Sequence, residues 1–418
     1  MPTRTRRRLV VSATNKPVFS SGPAAEPVNL ERRQWLLGSA GVVAGAGLMG
    51  WSPLALAQDG ALPDYVGWKD PEALIVHSAN TLETRRDAIG RGVLTPSDQL
   101  FVRNNLPAPG NDIVADPDGW TLDILGAGQS GSVSLKQLKT MGVETVVSVL
   151  QCSGNGRKFF PHGASGTQWE VGAAGCVAWT GVPLREVVRE LGGVMEGMNY
   201  ITATGGEILP EGLDPKSVMV ERSVPLAALE QALLAWEMND DPLSLAHGGP
   251  LRLVVPGYFG VNNVKYVRQI AFTAEQSDAK IQSSGYRVRE VGVEGAPDQP
   301  SMWEMPVKSW ITSPLTTAAA GRTLIYGVAF GGNQALGKVE VSLDDGGSWA
   351  EARLLGPDLG RFAWRPFVLA AELAPGEYRV VSRATDAQGQ AQPPERTDNE
   401  RGYGHNGWKD HGVSLTVA

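Results

Sequence analysis

VVSVLQCSGNGR, residues 146–157, carries the strongest local signal in the chain. Its first half is apolar and β-branched, with Val146, Val147, Val149 and Leu150. That length and composition predict a buried strand, bounded by polar and glycine residues. The run ends at Cys152, and Ser153, Gly154, Asn155 and Gly156 follow as a turn before Arg157. A glycine-rich turn lets backbone N–H groups approach an anion, and Arg157 adds a fixed positive charge beside the thiol. On these residues alone Cys152 is a reactive thiol, a structural thiol, or one half of a disulfide with Cys176, the only other cysteine.

Working outward, the 418 residues are too many for one ordinary core, so two domains are expected. A hydrophobic content of 42% with 19% charged residues is that of a globular chain. The 51 glycines and 28 prolines favour short strands and turns over long helices. The N-terminus is set apart as a targeting segment. Arg32 and Arg33 lie in ERRQWLLG, an apolar stretch rich in Gly and Ala covers 35–49, and Ala55-Leu56-Ala57 is a small-residue cleavage site. This pattern predicts a twin-arginine export signal over 1–57 and a periplasmic address. The stretch falls short of the ~20 apolar residues a membrane span needs, so no stable span is expected. Residues 1–57 carry seven Lys/Arg against two Asp/Glu, so the remainder has a net charge near −12. That balance argues against nucleic acid and fits a basic partner protein. No CxxC, CxxCH or HExxH is present, which excludes covalent haem, iron–sulfur and ordinary zinc sites of those types.

Along the chain, 81–89 reads as a short helix and 100–102 as a short strand delivering Arg103, Asn104 and Asn105. Strands are predicted at 120–125, 200–204, 233–238, 251–255 and 264–272, with Ser134 capping a helical turn. A helix is predicted over 184–191, stopped by Gly192-Gly193, and another begins at 225–229. This mixture is an α+β domain without doubly wound regularity, over 58–300. From 301 the texture becomes short alternating segments (323–330, 338–343, 362–369, 377–384) between Gly, Asp and Pro turns. Such spacing predicts an immunoglobulin-like β-sandwich over 301–418.

Nine stretches together resemble the sulfite oxidase family of molybdenum-cofactor enzymes. They are FVRNNLPAP (101–109), QCSGNGR (151–157), AWTGVPL (178–184), LLAWEMNDDPL (233–243), HGGPLRLVVPG (247–257), NVKYV (263–267), MPVKSWIT (305–312), VSLDDGGSW (341–349) and NERGYGHNGW (399–408). The resemblance implies a sulfite-oxidase-type molybdopterin domain followed by an immunoglobulin-like dimerisation domain. It implies that Cys152 is the molybdenum ligand, a role that a soft thiolate donor suits. It makes Cys176 a small buried residue. Arg103, Arg157 and Arg401 match positions that converge on the substrate anion, where forked donors suit an oxyanion. Trp169 and Tyr286 match pocket aromatics. Trp169 is expected to wall the anion site, and Tyr286 to stand near the metal's oxo group. Asn104, Asn105, His247, Arg252 and Lys265 match positions that hold the pyranopterin and its phosphate. Glu207 stands where the family usually has Asp, with Asp214 a rival for that place. Asn105 stands where the family usually has His.

The activity implied is oxidation of sulfite, or a related sulfur oxyanion, to sulfate, with electrons passed to a cytochrome c-type acceptor. The alternative is a sulfane dehydrogenase subunit of a sulfur-oxidising complex. A sulfoxide reductase and a non-enzymatic binding protein are less consistent with Cys152 and the arginine set. A homodimer, or a heteromer with a cytochrome subunit, is the expected assembly.

Overall fold

The computed structural model describes residues 61–107 and 109–418. The export signal expected over 1–57 lies outside the described residues. No helix among the described residues is long and apolar enough to cross a membrane.

Strands dominate the architecture. β1 (Leu74–Ser78), β2 (Thr81–Thr84) and β3 (Val102–Arg103) form a small antiparallel sheet with β2 in the centre. Residues 81–84 are therefore strand, and only Arg86–Ala88 makes a single 3-10 turn. The helix expected over 81–89 loses to pairing on both edges of β2, whose four residues are all buried. β4 (Thr121–Leu125) and β5 (Gly131–Ser134) pair as a hairpin. Ser134 then caps a short helix, Leu135–Leu138, through a reciprocal box with Gln137.

The opening stretch forms β6 (Glu144–Gln151), antiparallel to β7 (Ala174–Pro183) from Glu144↔Gly181 to Gln151↔Ala174. The helix at Leu184–Glu190 follows directly and is the longest α-helix among the described residues. β8 (Tyr200–Gly205), β9 (Glu221–Pro225), β10 (Leu233–Met238), β11 (Asp241–Pro242), β12 (Arg252–Val254) and β13 (Val267–Thr273) complete the first half. The helix expected from 225 is a 3-10 segment, Leu226–Glu230. Two five-stranded sheets result. One has the order β11-β10-β7-β6 with β12 also on β10, and the other β5-β4-β13-β8-β9. Their apolar faces bury Trp120, Leu122, Leu234, Leu253 and Ile270 together with Leu184 and Val187 of the helix.

The second half is a β-sandwich. β14 (Lys308–Ser313), β15 (Thr317–Ala318), β16 (Gly321–Phe330), β17 (Leu336–Ser342), β18 (Ala350–Glu351), β19 (Arg353–Leu354), β20 (Arg365–Leu373), β21 (Gly376–Asp386) and β22 (Val413–Val417) build two sheets. Their orders are β14-β16-β20-β19 and β15-β22-β21-β17-β18. Inward-facing residues such as Ile325, Val341, Phe367 and Leu415 fill the space between them. A further core joins the halves: Val149 and Cys176 of β6 and β7 pack with Trp310, Phe330, Trp364 and Tyr403. The end of β6, where Cys152 sits, is thereby clamped between the sheets and the sandwich.

Candidate active site

β6 delivers Cys152 to the edge of a cleft whose open and enclosed space comes to about 670 Å³. The thiol is half-buried and reduced, as is the fully buried Cys176. The turn after it is closed by Asn155 N–H donating to Cys152 O at 3.0 Å, and Cys152 N–H donates to Ala173 O at 2.9 Å. Gly156, at φ 101°, lies against the ring of His405, and a Cβ there would come within 2.7 Å of it. Only glycine fits that turn without strain.

Nine of the expected residues line this cleft: Arg103, Asn104, Asn105, Cys152, Glu207, His247, Arg252, Lys265 and Tyr286. They arrive from β3 and the residues just after it, the end of β6, the segment after β8, the turn before β12, β12 itself and the loops before β13 and β14. Lys265 Nζ donates to Asn104 Oδ1 at 2.6 Å and to Ala246 O at 2.5 Å. Arg252 donates to His247 O at 2.9 Å and to Asn263 O at 3.2 Å, and lies over the Trp179 ring. Arg103 donates to Asn104 O. Burial holds Arg252 down to about 10 and pushes Lys265 well below its ordinary value, with Arg252 adding to the effect. His247 is held neutral by burial and by the neighbouring Lys69, Lys265 and Arg252. Burial pushes the Glu207 carboxyl up to about 7, against the pull of Lys265. Asp214 is exposed and caps a short helix through Lys216 N–H, so Glu207 and not Asp214 occupies the cleft.

Arg157, Trp169 and Arg401 stand outside that lining. Arg157 is buried and donates to Arg401 O at 2.9 Å and Thr167 O at 2.8 Å. Trp169, expected as a wall of the anion site, is fully buried behind it. It meets Phe101 of the cleft edge-on at 6.3 Å and His77 at 5.1 Å. The aromatic surface of the wall is therefore Phe101, with Trp169 as its support. Tyr286 is stacked at 5.1 Å and 7° on Tyr403, over which the guanidinium groups of Arg157 and Arg401 lie at 5.4 and 5.9 Å. Burial pushes the Tyr286 hydroxyl up to about 12, Tyr403 adds to this, and Arg103 and Arg157 oppose it. Tyr286 stays protonated at neutral pH and is a hydrogen-bond donor.

Besides Phe101, sequence reasoning missed four residues. Ser153 lines the cleft, and Tyr403, Arg222 and Lys308 support it. Ser153, Tyr403 and Lys308 lie inside stretches already singled out, but their side-chain partners are distant in sequence. Lys308 is fully buried and donates to Asn155 O at 3.2 Å, holding the Cys152 turn from β14. Burial lowers it to about 7 from 10.5. Between those pH values the unfolded chain binds the extra proton, so this lysine penalises the folded state most at pH 7 and below, and the penalty fades toward pH 10. Replacing Lys308 by Met is expected to shift urea stability relative to the parent more favourably at pH 7 than at pH 10. A pH-independent difference would show that Lys308 carries no such penalty.

The donor set defines what fits the cleft. Nδ2 of Asn104, Oγ of Ser153 and Nε2 of His247 are buried without a protein partner. Among the described residues no salt bridge ties Arg103, Arg252 or Lys265 to a carboxylate. Unpaired buried donors and cations are costly unless an anionic group rich in acceptors accompanies them. A pyranopterin with its phosphate is such a group, and Cys152 at the cleft's edge adds a soft donor for a metal. Fold and site together are those of a molybdopterin-binding oxidoreductase.

Residues 108–281 match the oxidoreductase molybdopterin binding domain, and residues 299–416 the Mo-co oxidoreductase dimerisation domain. Over 328 residues the chain is 31% identical to the sulfite oxidase of Gallus gallus, covering 74% of this chain and 70% of that one. It is 34% identical over 349 residues to the mitochondrial sulfite oxidase of Rattus norvegicus, covering 78% of this chain. The chain spans 62% of the rat protein's length. The crystal structure of the sulfane dehydrogenase SoxCD from Paracoccus pantotrophus superposes with a TM-score of 0.67 at 25% identity, covering 82% of this chain and 89% of that one. The chain belongs to the sulfite oxidase family.

Proposed function

We propose that this protein is a molybdenum-dependent sulfite dehydrogenase of the periplasm. The observation that carries the reading is that one thiol, Cys152, lines the same cleft as the buried donors Asn104, Ser153 and His247 and the cations Arg103, Arg252 and Lys265. Asn104, Asn105, Glu207, His247, Arg252 and Lys265 hold the pterin and its phosphate, and Cys152 contributes a thiolate to the metal. When bound, the cofactor supplies oxygen transfer and the two-electron oxidation. The chain supplies charge and orientation. Arg103, Arg157 and Arg401 set a positive potential for an oxyanion of up to two charges, and the protonated Tyr286 donates toward its oxygens. Phe101, backed by Trp169, keeps water from that side.

Electrons pass to a separate basic cytochrome c, for which the net charge near −12 of residues 58–418 is a complementary surface. Asn105 is exposed at the cleft, so the change from His acts on the mouth and not on the packed interior. The sandwich mediates assembly into a homodimer or a heteromer with a cytochrome subunit. A second reading, a sulfane dehydrogenase subunit, is supported by the likeness to SoxCD over most of both chains.

The test uses protein expressed with residues 1–57 in place, exported and purified. Molybdenum near one atom per chain and sulfite-dependent reduction of cytochrome c are expected. Molybdenum with no response to sulfite, and turnover only with protein-bound sulfane sulfur, would select the second reading. Lys265→Met is expected to lower cofactor content by about tenfold or more, since it removes a hydrogen-bond donor of the cleft and leaves Asn104 Oδ1 unpaired. Molybdenum analysis of the purified variant measures this.

A further inference from the structure

We propose that Tyr403 is a positioning residue for the anion site: its ring is the shelf that sets Tyr286 and the guanidinium groups of Arg157 and Arg401 relative to one another. The proposal rests on the reading of the cleft as a site for a sulfur oxyanion.

Four contacts form one column. Arg222, fully buried, lies over the Tyr286 ring at 5.6 Å. Tyr286 stacks on Tyr403 at 5.1 Å with the rings 7° apart. Arg157 and Arg401 lie over Tyr403 at 5.4 and 5.9 Å. Cations over aromatic faces are attracted by the ring quadrupole, and offset stacking fixes both separation and tilt. Tyr286 comes from the segment before the sandwich and Tyr403 from the segment before β22, so the column is tertiary throughout.

The Tyr403 backbone is held on both sides. Its N–H donates to Asn399 Oδ1 at 2.8 Å, and its carbonyl accepts from Asn399 Nδ2 at 2.9 Å. The next residue, Gly404, donates to Ser153 O at 2.9 Å, in the turn that carries Cys152. The preceding Gly402 sits at φ 58°, where a Cβ would come within 2.9 Å of Arg157 Cγ. Arg157 itself donates to Arg401 O. The ring is thus referenced to the Cys152 turn, to two of the three arginines and to Tyr286 of the cleft lining. A packing residue at 5% exposure could be any large apolar side chain. What Tyr403 adds is an aromatic face.

The holoenzyme, Tyr403→Phe, Tyr403→Leu and Tyr403→Met are compared, the last guarding against a Leu variant that fails to fold. Molybdenum content, kcat and KM for sulfite, and the dissociation constant of the product sulfate by calorimetry are measured on each. Tyr403→Phe is expected to stay within about twofold of the parent. Loss of the ring in Leu or Met is expected to raise KM and the sulfate constant roughly tenfold, with a smaller change in kcat and molybdenum retained. An unchanged KM and sulfate constant in the ring-less variants, on a parent that oxidises sulfite, overturns the role of Tyr403 alone. Equal losses in Phe and Met also overturn the shelf, because the hydroxyl would then be the active part. A molybdenum-loaded parent that neither oxidises sulfite nor binds sulfate overturns the oxyanion reading and the proposal with it.

Discussion

Serine in place of Cys152 is expected to leave a folded, pterin-containing protein with sulfite turnover reduced on the order of a hundredfold or more. Changes to partners one step removed from a metal already cost about 10–100-fold, and under the proposed function this change replaces the ligand itself. The fold has no reason to fail. Cys152 is half-buried, its backbone bonds to Ala173 and Asn155 do not involve the side chain, and Ser153 beside it is already accommodated. Pterin retention is expected because the side chains proposed to bind it, on β12 and the surrounding loops, are left unchanged by the substitution. Cofactor content by pterin fluorescence and molybdenum analysis, beside stopped-flow sulfite oxidation, measures the two effects separately. Parent-like turnover in Cys152→Ser would remove the thiolate from the mechanism.

Arg157→Met is expected to lower kcat/KM for sulfite by about a hundredfold or more and to lower stability as well. The arginine is buried, its bond to Arg401 O connects the turn after Cys152 to the segment before β22, and its bond to Thr167 O fastens the loop that leads to β7. Deleting it leaves two half-buried carbonyl acceptors without this donor, at up to about 1 kcal/mol each. It also removes a positive charge from the Tyr286–Tyr403 pair, over which it lies. Arg157→Lys separates these effects. It keeps the charge but lacks the fork that serves both carbonyls, so the stability loss should persist in denaturant unfolding while part of the affinity for sulfate returns. A methionine variant with unaltered kcat/KM would place Arg157 among structural residues only.

Much of the site was legible because it is carried by backbone-ordered features. The strand at 146–151 announces itself by β-branched residues, and it delivers Cys152 to the cleft whatever the partner strand is. Arg103, His247, Arg252 and Lys265 were legible only through the resemblance to the sulfite oxidase family, since each taken alone reads as an ordinary surface or structural residue. The helix expected at 81–89 failed for the opposite reason. Its propensity is overridden by pairing of β2 with strands on both sides, and one of these lies some twenty residues away. For Trp169, nothing in its neighbourhood says that it is fully buried against Phe101, with its Nε1 lacking a protein partner.

Taken alone, the sequence determined an α+β domain followed by a β-sandwich, a thiol at a strand end, and a set of cations and amides with the chemistry of an anionic cofactor. Local composition and periodicity suffice for the two domains and the thiol at a strand end, while the cations and amides were singled out by the resemblance to the sulfite oxidase family. The tertiary structure alone decided that Glu207 and not Asp214 enters the cleft, that Arg157 bonds the backbone of Arg401, and that Tyr403 and Lys308 reach from the C-terminal half to the turn of VVSVLQCSGNGR and the tyrosine beside it. Those contacts join residues up to 244 positions apart. Only the packing of the sandwich against β6 and β7 brings them together, and no local pattern encodes that distance.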